Sequence, residues 1–75
     1  MTKELTLSQM GYEYLYEAEE VDKKIKNCNT KLREAIQAFR ADEIIRLRRM
    51  LRLYYEQRSE LRYAGNLLVN YYNEI

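Results

Sequence analysis

Arg46, Arg48, Arg49 and Arg52 fall within seven residues of one another, and Arg40 closely precedes them. A guanidinium group carries a permanent charge and a planar fork of donors suited to phosphates and carboxylates. The candidate contact patch of Arg40, Arg46, Arg48, Arg49 and Arg52, with Lys31 and Arg33 nearby, could meet nucleic-acid phosphates, an acidic protein surface or solvent alone. Two features weigh against nucleic acid: a net charge of only +1, and the lack of a helix-turn-helix, zinc or ribbon motif. The charge is also unevenly spread. Residues 1–22 carry one Lys against six acids, residues 23–52 carry ten Lys and Arg against three acids, and residues 53–75 carry two Arg against three Glu. The middle of the chain is therefore basic and its beginning acidic, so one copy can attract another.

The remaining reactive types point away from catalysis, and no enzyme is expected. Histidine is absent, which removes the commonest general acid–base group and the Glu-x-x-His pairs of di-iron bundles. Glu13, Glu17, Glu20 and Asp22 recur at helical spacings and read as a solvated face. Cys28 is the only cysteine, which excludes an internal disulfide and makes a metal site improbable on ligand count. It reads as a small apolar core residue, with a reactive thiol as the alternative. No cofactor, metal or small-molecule substrate is expected.

Such residues need elements to hold them, and the composition supplies helices. The 75 residues contain no proline and two glycines, with abundant Glu, Lys, Arg, Leu and Ala. Thr6-Leu7-Ser8-Gln9 fits a capping box, and Leu5 and Met10 occupy the positions of a hydrophobic staple. From Leu7 an apolar seam runs through Gly11, Tyr14, Ala18, Val21, Ile25, Cys28, Leu32, Ala35 and Phe39 in alternating steps of four and three. Continued in register, it would meet Asp42, Arg46 and Arg49, all charged. A new seam begins instead at Ile44 and passes through Leu47, Leu51, Tyr54, Arg58, Leu61, Gly65, Leu68, Tyr72 and Ile75. With Asp42 as N-cap, this break predicts a turn at about 39–42 between a helix of about 7–38 and a second of about 43–73. A continuous helix with a shifted seam, or a turn at Asn27–Thr30, are the alternatives. The expected fold is a single all-α domain, 1–75, an antiparallel helical hairpin.

Hairpin pairing sets Arg58, which interrupts the second seam, opposite residues 22–24. It either snorkels to solvent or pairs with Asp22 or Glu20. Gly65 would leave room for a ring from helix 1, most naturally Tyr14. Six of the eight tyrosines (Tyr12, Tyr14, Tyr16, Tyr63, Tyr71 and Tyr72) map to the open end, as boundary packing or as a binding surface.

The second helix is apolar over nearly half its circumference, more than one neighbour can hide. A chain this short also buries too little to be comfortably stable alone. Both considerations predict a homodimer, a four-helix bundle joined through Met50, Leu53, Gln57, Ala64, Leu67 and Tyr71. No apolar run reaches the roughly 18 residues of a membrane span, and the first residues lack the apolar core of a signal peptide. A cytoplasmic protein without a membrane contact is the expectation. Its expected role is oligomerisation or protein–protein interaction, and the alternative is a nucleic-acid-binding accessory protein using the basic turn end.

Overall fold

The computed structural model describes residues 6–73 as two helices packed side by side, α1 (Leu7–Gln37) and α2 (Ala41–Asn73). The extents are 54 × 28 × 14 Å. The smallest is close to one helix diameter, so the hairpin is a single layer. Among the described residues no helix is long and apolar enough to cross a membrane.

The capping box opens α1 as its sequence dictates. The Thr6 hydroxyl accepts the Gln9 N–H at 3.1 Å, and the Gln9 side chain accepts the Thr6 N–H at 2.9 Å. Two of the four orphan donors at the helix start are thereby satisfied. Leu5, the other half of the expected staple with Met10, lies outside the described residues, as do Ile75 and the side chain of Tyr72.

The turn falls at residues 38–40, slightly earlier than the sequence spacing places it. It is a Schellman closure: the Arg40 N–H donates to the Ala35 carbonyl at 3.0 Å and the Phe39 N–H to that of Ile36 at 3.2 Å. This geometry needs a left-handed residue, and Phe39 supplies it at φ 55°. The motif therefore forms without the glycine that usually permits it. Phe39 is accordingly not the last residue of the α1 seam but a turn residue, 89% exposed. Nor is Asp42 the N-cap of α2. The Arg40 carbonyl accepts the first helical bond, from the Ile44 N–H at 2.9 Å, and Asp42 and Glu43 sit in the first turn. There their charges complement the positive end of the helix dipole.

The core is one line of side chains between the helices. Val21, Ile25, Cys28, Ala35, Leu47 and Leu51 form it, flanked by half-buried Leu32, Ile44, Tyr54 and Leu61. Towards the open end the helices close further, with Gly11 and Gly65 back to back. A Cβ on Gly11 would stand 2.8 Å from the Gly65 carbonyl oxygen, and one on Gly65 would stand 2.7 Å from Leu15. Leu15, not Tyr14, takes the space that Gly65 leaves.

Two substitutions test this backbone. Phe39→Gly should raise the unfolding free energy by about 1 kcal/mol, because left-handed geometry costs a non-glycine residue about that much. Gly11→Ala should lower the melting temperature despite alanine's helix preference of about 1 kcal/mol, since the new methyl meets backbone atoms that must move. Thermal or urea unfolding at one fixed chain concentration measures both.

Candidate interaction surface

Asp22 and Arg58 form the one ion pair between the two helices among the described residues. Arg58 Nη1 donates to Asp22 Oδ1 at 2.5 Å, both side chains being about three-quarters buried. Lys26 Nζ lies 3.3 Å from the other carboxylate oxygen, and the Arg58 guanidinium stands 5.0 Å from the centroid of the Tyr55 ring. The charge that interrupts the α2 seam is thus satisfied from α1, one turn of α1 and one ring of α2 together. Glu20, the other candidate partner, pairs with Lys23 at 3.0 Å instead. Arg58 donation, followed by that of Lys26, holds the Asp22 carboxyl below the usual carboxylate range, and Lys23 does the same for Glu20.

Cys28 is buried, with its thiol 3.6 Å from the Leu47 carbonyl. It is a core residue whose S–H finds a backbone acceptor.

The five arginines do not share one face. Arg40 and Arg46 border a groove of about 540 Å³ between the helices at the turn end, together with Lys24, Lys31, Glu34 and Glu43 and over a floor that includes Cys28, Leu47 and Met50. Arg48, Arg49 and Arg52 line a second groove of about 560 Å³ with Leu32, Ile45, Leu51 and Tyr55. Arg40 pairs with Glu43 at 3.3 Å. Among the described residues none of Lys24, Lys31, Arg46, Arg48, Arg49 or Arg52 has a carboxylate within ion-pair distance.

The apolar residues of α2 that α1 does not cover are open to solvent: Leu53 is 63% exposed, Leu67 57%, Tyr71 55% and Met50 37%. Gln57 is exposed between them, and Ala64 is half-buried. Sequence reasoning picked out these six by the breadth of the apolar face, but missed their order. With Arg46 and Glu60 added, Arg46, Met50, Leu53, Gln57, Glu60, Ala64, Leu67 and Tyr71 follow one another in steps of four and three without a break. This row lies one position before the seam that meets α1, about 100° around α2 from it. It is apolar at Met50, Leu53, Ala64, Leu67 and Tyr71 and polar at Arg46, Gln57 and Glu60. At the open end Tyr12, Tyr16 and Tyr63 are also mostly exposed, and only Tyr14 of the α1 tyrosines there with Tyr12 and Tyr16 is half-buried.

Comparison with protein-family models, with curated proteins and with solved structures finds no match to this chain.

The ion pair has a pH signature. The pKa of Asp22 is lower in the folded chain, so its contribution is complete above the ordinary carboxylate pKa and is lost as pH falls through the lowered value. The melting temperature should therefore drop on acidification below about pH 4, and Asp22→Asn should flatten that drop. At neutral pH Arg58→Leu should keep or raise the melting temperature, because a well-packed hydrophobe often matches a buried pair, while loosening the register. Circular-dichroism melts across pH and the count of amide resonances read these effects.

Proposed function

We propose that this chain is a non-enzymatic self-association module, a helical hairpin that works by pairing through the uncovered face of α2. One observation carries the reading: Met50, Leu53, Leu67 and Tyr71 stand exposed along one side of α2 on a hairpin one layer thick. Burying a Leu or Met side chain is worth about 1.5–3 kcal/mol, so Met50, Leu53 and Leu67 each favour an arrangement that covers them. Domains ordinarily close their core between two layers, and a second copy supplies the missing one as a four-helix bundle. The reading places the protein among interaction modules in a water-soluble, cytoplasmic setting. An unlike protein with a matching apolar face is the other partner class it accommodates.

The melting temperature should rise with chain concentration across the micromolar range, as mass action requires of a folded dimer. Leu53→Glu should weaken association by about 2–4 kcal/mol, the range of a central interface residue, and abolish that dependence. A concentration-independent melt for the unaltered chain would remove the proposal.

A second reading rests on Arg48, Arg49 and Arg52, which share a groove with Tyr55. Three guanidinium groups beside an aromatic ring suit a phosphate backbone with a stacked base. A gel shift across a salt series tests it. Affinity should fall by roughly one log unit per log unit of salt for each phosphate contacted, and Arg48→Ala/Arg52→Ala should abolish the shift.

A further inference from the structure

We propose that the occupant of the exposed α2 row is a second copy of this chain laid antiparallel, turn end over open end, with its two-fold axis between Arg58 and Ser59. The inference deepens the self-association reading and rests on it. Two like hairpins packed face to face by a two-fold have their turns either together or at opposite ends. Charge decides between them. In the parallel arrangement Lys24, Lys31, Arg40 and Arg46, around the groove beside this row, face their own copies, as do Glu13, Glu17 and Glu20, in phase with Lys24 on α1. In the antiparallel arrangement each set faces the other. Among the described residues Lys24, Lys31 and Arg46 find no carboxylate within their own chain, so they are open to carboxylates from outside.

The row itself is written to be read in both directions. About an axis between Arg58 and Ser59, Met50 falls opposite Leu67 of the second copy, and Leu53 opposite its Ala64, a large residue against a small one. The two polar members also meet each other. Gln57 falls opposite Glu60 of the second copy, an amide donor against a carboxylate acceptor, so neither interrupts the apolar layers unsatisfied. At the ends Arg46 comes over the ring of Tyr71, an arrangement suited to a cation–π contact. In a parallel pairing each residue would meet itself, setting Arg46 against Arg46, which the antiparallel pairing holds at opposite ends.

The axis also lies within about two residues of the middle of α2 (Ala41–Asn73), so the copies overlap along nearly its whole length. The register of the hairpin, fixed by Asp22–Arg58 and by Gly11 against Gly65, then brings Lys24 of α1 level with about residues 15–19 of the second copy, where Glu17 stands. The groove between Lys24, Lys31, Arg46 and Met50 becomes the seat of the second copy's open end.

Single-cysteine variants separate orientation from association. Cys28 is buried and can be kept, with the unaltered chain as control. Leu53→Cys alone, or Ala64→Cys alone, should give no crosslinked dimer under mild oxidation. In the antiparallel pairing, identical positions lie about 16 Å apart along the axis, beyond the Cα separation of about 4.4–6.8 Å that a disulfide spans. An equimolar mixture of the two variants should crosslink into the mixed dimer, at least tenfold above either variant alone. Crosslinking of each single variant with itself, and none between them, would overturn the antiparallel arrangement while leaving self-association standing. No crosslink in any sample, with a mass of one chain throughout, would overturn both.

Discussion

A single layer of helix has only one internal contact to offer, and everything in this chain follows from that constraint. α1 and α2 meet along one line, where Ala18, Val21, Ile25, Cys28, Ala35, Leu47 and Leu51 are buried. No large side chain reaches complete burial there, because each has cover on one side only. The small residues of α1, Gly11, Ala18, Cys28 and Ala35, bring the helices close and so make the most of a thin core. The same closeness leaves the second apolar row of α2 outside the contact. Its exposure is built into the fold, and no repacking within one chain can remove it.

Register has to be set with unusual care in such a hairpin, since two regular heptad seams can slide by a turn at modest cost. Three local devices hold it. The Schellman closure at Ala38–Arg40 fixes the turn, Gly11 and Gly65 admit each other at one level only, and Arg58 finds Asp22 across the core. Phe39 in left-handed backbone, in a position glycine would occupy without strain, carries a cost that the surrounding bonds impose.

Much of this was legible in the residues. The capping box and both seams of the helical contact follow from spacing, because each depends on neighbours three or four positions apart. For Arg58 spacing left solvent or a carboxylate of α1 open, and the structure pairs it with Asp22. The turn was placed a little late for a definite reason. Asp42 is a strong N-cap type and Phe39 an apolar residue in phase, yet backbone closure, not side-chain preference, decided both positions. The identity of Leu15 as the neighbour of Gly65 was not legible, since it depends on how closely two backbones approach. Nor was the division of the arginines between two grooves. In sequence they form one run, but successive positions at 100° around α2 send them to different sides. The second apolar row of α2 was visible as breadth, and Gln57 and Glu60 interrupt it at its middle.

The claim at the centre of this account is that the folded unit holds two layers and therefore two chains. Sedimentation equilibrium of the unaltered chain at micromolar concentration measures this directly, without labels or substitutions. The account predicts a mass twice that of the 9.2 kDa chain, falling towards one chain only on dilution. A mass of one chain held across the whole concentration range would contradict it.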